Sequence, residues 1–148
     1  MRLHWDDIPI VRTDVLVCGA GGAGLRAAIS AHQQGASVRV LCKLPLLAGG
    51  STANGLSEIM SIGAAIAHSD EPDSPEVHFL DTMRAGWGFI DEQLVRIYAY
   101  EVPERFWDLV LLGVPFAQKT DGRFRQRHSD FATYRRTMAV PDGSTGRA

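Results

Sequence analysis

The spacing of apolar and polar positions changes along the chain, and the changes mark the elements. Val15-Leu-Val-Cys18 is an unbroken apolar run, as a buried parallel strand would show. From Ala23 to Gln34 the pattern is helical and alanine-rich, and Gly35 is a natural stop. Ser37 to Leu41 returns to strand character. Together these segments predict one βαβ unit of about 30 residues. Periodicity is then lost from Leu44 to Ser61, where small and hydroxylated residues dominate. A surface loop would usually carry more charge, so this segment reads as a loop built to press its backbone against something.

A polar break from His68 to Pro75 precedes a helix capped by Ser74, with Pro75 at its first position and an end near Ala85. Asp91 caps a second helix with apolar residues at Leu94, Val95, Ile97 and Tyr98. Pro103 interrupts it, which predicts a kink or two abutting helices. The second piece runs from Glu104 to Leu112 and stops at Gly113, with Phe106, Trp107, Leu109 and Val110 as core. Val114-Pro-Phe116 is extended, and Thr120-Asp-Gly-Arg123 signals a hairpin. Arg125, Arg127, Arg135 and Arg136 read as a solvated surface, with an anion-contacting loop as the functional alternative.

The turn after the first strand is Gly19-Ala20-Gly21-Gly22-Ala23-Gly24, a G-x-G-x-x-G between strand and helix. In that position each glycine has a separate task. Gly19 turns the chain off the strand. Gly21 clears space for backbone N–H groups to approach a pyrophosphate. Gly24 lets the helix lie close to the sheet. The helix N-terminus supplies partial positive charge. An acid at the end of the second strand usually binds a ribose hydroxyl. Here Cys42 and Lys43 stand in its place, which weakens a standard NAD site and an acid-bearing FAD site alike.

Composition narrows the field. A chain of 148 residues can bury a sizeable core, and its formal net charge of −2 argues against nucleic-acid or membrane-surface binding through bulk charge. The apolar stretch from Val15 to Ala31 is interrupted by glycines and Arg26, so no membrane span is predicted. Met1 to Asp7 has no apolar signal core, and a cytoplasmic location is the default expectation. Cys18 and Cys42 read as small buried residues on neighbouring strands. The five histidines lack metal-ligand spacing, and no metal is expected.

The residues from Asp14 to Ala28, followed by Val40-Leu-Cys-Lys43, resemble the N-terminal part of a flavoprotein superfamily. Its members are the flavoprotein subunits of fumarate reductase and succinate dehydrogenase, L-aspartate oxidase and adenylylsulfate reductase. In these families a small residue and a lysine often replace the acid, as Cys42-Lys43 does. Gly49-Gly50-Ser51-Thr52-Ala53-Asn54-Gly55-Leu-Ser57 resembles the second flavin-binding loop. The likeness continues through Glu76 to Gly88, Tyr100 to Glu104, Leu112 to Phe116 and Asp121-Gly122. It reaches Asp142-Gly-Ser-Thr145-Gly146-Arg-Ala148, similar to the family's Asp-Arg-Thr-Gly-His-Ala.

The resemblance implies a partial Rossmann-like α/β fold: a βαβ start, a helical segment and a short hairpin. It implies FAD as cofactor. Membrane-bound members attach the flavin to a histidine whose counterpart here is Gly49, Gly50 or Ser51, so non-covalent FAD is implied. The family's chains are several times longer, and their substrate-binding and proton-donating groups lie beyond the counterpart of Ala148. Residues 1–148 are therefore expected to be the N-terminal part of an FAD-binding domain, truncated and inactive alone. The intact enzyme would use N5 of the flavin to move a hydride to or from a small polar substrate, a dicarboxylate being the candidate. The candidate partner is an electron-transfer subunit. No catalytic residue is assigned. A stand-alone nucleotide-binding module without turnover remains the rival from another class. A nicotinamide-dependent reductase is the other rival, disfavoured by Cys42 and the Gly49 to Ser57 loop.

Overall fold

The computed structural model describes residues 8–54 and 60–148 and divides into two compact units, Met1–Thr52 and Ala53–Ala148. In the first, β1 (Val15–Cys18), α1 (Gly22–Gln33) and β2 (Val38–Leu41) form the predicted βαβ unit. The strands run parallel, with Val15 opposite Val38 and Cys18 opposite Leu41. The register is pinned at its start by a polar latch. The Asp14 carboxylate accepts from the Ser37 N–H at 2.8 Å and the Ser37 hydroxyl at 2.6 Å, while the Asp14 N–H donates to Ser37 Oγ at 3.0 Å. These bonds from Ser37 hold the Asp14 carboxyl below the usual carboxylate range.

Burial alternates along both strands. Val15, Val17, Val38 and Val40 are half-buried, and Leu16, Cys18, Arg39 and Leu41 are exposed. No described residue of this unit is fully buried. The expected buried strands are therefore half-buried, and the expected burial of the two cysteines is wrong: Cys18 and Cys42 are both exposed. An alternating strand offers only one face to a single crossover helix. Cys18 falls on the other face, and Cys42 lies just past the end of β2.

The segment expected to be non-periodic contains one helical turn, α2 (Ser51–Asn54). In the second unit, β3 (Ile62–Gly63) pairs antiparallel with β4 (Thr137–Met138), a long-range pairing that two-residue strands do not announce in sequence. Between them lie α3 (Pro75–Ala85) and α4 (Glu92–Leu111). Both caps are as predicted. Ser74 Oγ accepts from the Val77 N–H, and the Asp91 carboxylate accepts from Gln93 and Leu94.

α4 runs as one helix through Pro103 rather than as two abutting pieces. Proline removes one backbone donor and crowds the carbonyl four residues earlier, here that of Ala99. What outweighs that cost is an apolar stripe on one face: Val95, Ala99, Val102 and Phe106 are all buried. Val102 and Phe106 join Ala64, Ile66, Phe116, Phe124 and Met138, while Val95 and Ala99 pack with Phe79 of α3. Leu109 and Val110 are half-buried against this core. Trp107, expected inside, is 40% exposed, although its ring lies 5.6 Å from that of Phe124. The predicted hairpin forms at Asp121-Gly122. Gln118 pairs with Phe124 across it, and the Lys119 N–H donates to the Arg123 carbonyl at 2.8 Å.

Candidate functional site

β1 ends at Cys18, and the chain leaves the strand at Gly19 with φ +110°, a conformation open to glycine and strained for other residues. The Gly19 N–H donates to the Leu41 carbonyl at 2.8 Å, which ties the turn to the end of β2. At Gly24 a Cβ would lie 2.0 Å from the Gly19 carbonyl oxygen and 3.4 Å from Val17 Cγ1. This glycine is what allows α1 to sit against β1. Gly21, the N-cap of α1, has extended backbone, and α1 carries no side-chain cap. The Gly22 N–H donates to Thr52 Oγ1 at 3.0 Å. Among the described residues, the N–H groups of Ala23 and Gly24 meet no acceptor. Helix α1 therefore begins with free donors and the positive end of its dipole beside a glycine that presents no side chain.

These features border a hollow of about 270 Å³. Gly19, Ala20 and Gly21 form one wall; Cys42 and Lys43 at the end of β2 form another, continued by Gly49 and Gly50. Donors, small residues and an exposed lysine suit a polyanion lying across the strand ends. No carboxylate is among the lining residues.

The proposed site residues divide between the two units. Gly19 to Gly24, Cys42, Lys43, Gly49, Gly50, Ser51 and Thr52 belong to the first. Of these, Thr52 is brought to the glycine turn by its hydroxyl. Ala53 and Asn54 belong to the second, where Arg147 holds them: Nε donates to the Ala53 carbonyl at 2.8 Å and Nη2 to Asn54 Oδ1 at 2.6 Å. Gly55 lies outside the described residues. Sequence reasoning did not find Arg147, since nothing local pairs it with a segment more than ninety positions earlier.

The basic cluster also requires correction. Arg125 and Arg127 are exposed as expected, but Arg136 is 2% exposed. It donates to both oxygens of Asp73, from Nε at 3.0 Å and Nη2 at 2.8 Å, and to Asp81 Oδ2 at 2.8 Å. Arg135 pairs with Glu71. A guanidinium among carboxylates in an apolar setting is a structural tie, and the anion-contacting alternative fails for Arg136 because carboxylates already occupy it. Burial pushes the Asp81 carboxyl up, but bonds from the Thr133 backbone, the Thr133 hydroxyl and Arg136 outweigh that and hold it below its usual range. His78 packs edge-on to Tyr98, with ring centroids 5.1 Å apart. Burial, then the charge of Arg136, lowers its pKa to about 4. Among the described residues no cluster of histidine, cysteine or carboxylate side chains is arranged to hold a metal.

A strand, glycine turn and uncapped helix facing the ends of parallel strands define a dinucleotide-binding α/β unit. The chain belongs to the FAD-binding domain family, which matches residues 14–148. It is 44% identical over 125 residues to a fumarate reductase (CoM/CoB) polypeptide of Methanothermobacter marburgensis, covering 84% of this chain and 22% of that one. It is 33% identical over 132 residues to an L-aspartate oxidase of Mesorhizobium japonicum, covering 89% and 24%. Among solved structures, Sdh1 of Mycobacterium smegmatis superposes with a TM-score of 0.80 at 36% identity, covering 90% of this chain and 22% of that one. The quinol fumarate reductase of E. coli superposes with a TM-score of 0.76 at 29% identity, covering 90% and 22%. The chain thus spans less than a quarter of the length of these relatives. Among the described residues no helix is long and apolar enough to cross a membrane.

Proposed function

We propose that residues 1–148 form the N-terminal part of the FAD-binding domain of a flavin-dependent oxidoreductase, a part that holds FAD non-covalently and does not turn over substrate alone. The observation that carries this reading is the start of α1: among the described residues the N–H groups of Ala23 and Gly24, behind Gly21 at the end of a parallel strand, meet no acceptor. These donors suit the pyrophosphate, and Cys42-Lys43 at the end of β2 suits a flavin dinucleotide of this family better than an NAD ribose site with its acid. When bound, FAD supplies two-electron chemistry that side chains lack. The chain's own contribution is to bind and orient. Gly19 to Gly24 approach the phosphates, Thr52 orders the turn, and Gly49 to Gly55 form the second loop. The absence of histidine at Gly49, Gly50 and Ser51 supports non-covalent attachment.

The relatives are named fumarate reductases and L-aspartate oxidases, which supports a small polar substrate, a dicarboxylate first, for the parent enzyme. A partner that transfers electrons to or from the flavin and a cytoplasmic location complete the proposal. A stand-alone nucleotide-binding module is the second reading, favoured by the βαβ unit forming on its own contacts.

Titrating the purified chain with FAD while following flavin fluorescence tests the cofactor. The expected result is weak, saturable binding with no reduction of fumarate or a similar acceptor. Acid precipitation should leave all flavin in the supernatant. Micromolar or tighter binding with reductase activity would make the chain a minimal enzyme, and yellow colour in the acid pellet would overturn non-covalent attachment.

A further inference from the structure

The second unit holds a cavity of about 330 Å³ lined from β3, α3, α4 and residues 129–132. The buried Arg136 lines it as well. Nε and Nη2 of Arg136 are taken by Asp73 and Asp81. Nη1 meets no acceptor among the described residues and is not sealed off by protein, so its two N–H groups are left to the cavity. The Tyr98 hydroxyl makes one long bond, to the Gly63 carbonyl at 3.4 Å. Burial raises the Tyr98 pKa and keeps the phenol protonated. His78, edge-on to Tyr98, is uncharged above about pH 4. One wall is strained. Phe131 has φ +65°, a left-handed conformation that bulky residues rarely adopt, and it lines the cavity while 67% exposed. Bonds from α3 hold its loop. Arg84 Nη2 donates to the Phe131 carbonyl at 3.2 Å, and the Asp81 carboxylate accepts from the Thr133 N–H at 2.7 Å and hydroxyl at 2.6 Å.

We propose that this cavity is a binding site for a small neutral carboxamide, whose carbonyl accepts from Arg136 Nη1 and the Tyr98 hydroxyl and whose body packs on Phe131. Charge decides the class. The charged groups on the lining are Asp81, Asp130 and Arg136, so two carboxylates face one cation, and Asp73 binds that cation too. A carboxylate ligand would bring a further anion to a cation already matched, and its desolvation would go uncompensated. A cationic ligand would meet Arg136 and find Asp81 saturated, since its oxygens already accept from Arg84, Arg136 and both donors of Thr133. A purely apolar ligand would leave Arg136 Nη1 without a partner. A carboxamide offers an acceptor and donors without charge. When the Tyr98 hydroxyl turns to the ligand, the Gly63 carbonyl is freed to accept the amide N–H. Strained backbone persists where its surroundings over-determine it, and the bonds from α3 do so at Phe131, keeping an aromatic wall on the cavity. Every group named belongs to the second unit, so the inference stands apart from the FAD reading.

The test uses the full chain without flavin. Benzamide is the probe and benzoate its control, alike in shape and different in charge. Binding is followed through the amide resonances of Gly63, Thr82 and Phe131 in an NMR titration. Benzamide should shift all three saturably, and benzoate should bind about tenfold more weakly or worse. Two variants place the ligand. Tyr98→Phe removes the hydroxyl and keeps a ring beside His78, and it should weaken benzamide about fivefold, the loss of one neutral hydrogen bond. Phe131→Gly suits φ +65° and removes the aromatic wall. It should melt no lower than the wild type and bind benzamide about fivefold more weakly. Arg136 is left intact, because its ion pairs hold the fold. Equal affinity for benzamide and benzoate would overturn the proposal at its charge argument. A wild-type chain without saturable shifts at these amides would overturn the site, as would wild-type benzamide affinity in either folded variant. Should one variant fail to fold, the other and the benzoate comparison decide.

Discussion

Two glycines of the same motif should fail in different ways when replaced. Gly24 is needed for packing, since any Cβ there meets the Gly19 carbonyl at 2.0 Å. Gly24→Ala should destabilise the βαβ unit by about 1–3 kcal/mol, the usual cost of overpacking, seen as a loss of amide protection in β1 and α1. Gly21 has extended backbone, and a Cβ there would meet only Thr52 Oγ1, at 3.4 Å. Gly21→Val should therefore fold and, if the proposed phosphate site is right, lose FAD, because its methyl groups would fill that site. Flavin retained by that variant at wild-type affinity would refute the phosphate assignment. His78 carries a second residue-scale prediction. Its Nδ1 is buried and without a partner among the described residues, and its pKa falls from 6.5 to about 4. Between those values the unfolded chain takes up a proton that the folded chain refuses, so stability rises with pH across the window and is lost as pH falls through it. Asp81 acts in the same direction at lower pH. Its pKa is lowered on folding, so its stabilisation is full above about 4, the ordinary carboxylate value, and is lost as pH drops further. The melting temperature should fall from pH 7 to pH 4.5, and His78→Phe should flatten that slope. An unaltered slope would show that His78 is not the group responsible.

At the scale of elements, Arg136 joins parts far apart in sequence. It sits just before β4, Asp81 lies on α3, and Asp73 precedes the Ser74 cap of α3. Arg136→Met would leave the buried Asp73 carboxylate without its cation and Asp81 with only the exposed Arg84. Breaking such a pair by removing one partner costs about 3–5 kcal/mol. In a chain of this size that is a fall of roughly 10 °C in melting temperature. A thermal melt followed by circular dichroism checks it, and an unchanged midpoint would mean that water already screens the cluster. α4 shows the complementary lesson. Pro103 predicted a break, yet Val95, Ala99, Val102 and Phe106 place four buried side chains on one stripe and keep a single helix. Propensity is local and modest, while burial of a whole face is collective.

At the scale of the whole molecule, the two units differ in how much they bury. The second has cores around Phe106 and Phe79. The first has none among its described residues, and Leu16 and Leu41 on the outer face of its sheet are 56% and 61% exposed. Amides of Val17 and Val40 should therefore exchange orders of magnitude faster than those of Ala99 and Val102, read by hydrogen exchange. Equal protection would mean that the first unit is held by contacts other than its own. The sequence alone determined the βαβ unit, the glycine turn, both helix caps and the hairpin at Gly122. Each is written in a few consecutive residues whose backbone preferences are local. It also carried the family likeness, because the glycine turn demands glycine at set positions whatever the rest of the chain does. Only the tertiary structure decided that Cys18 and Cys42 are exposed, that Arg136 is a buried ion-pair centre rather than a solvated cation, and that Arg147 reaches back to Ala53 and Asn54. Those outcomes depend on which distant segment meets each side chain. Whether a charge is solvated or paired is settled by packing across the fold, and no window of neighbouring residues contains that information.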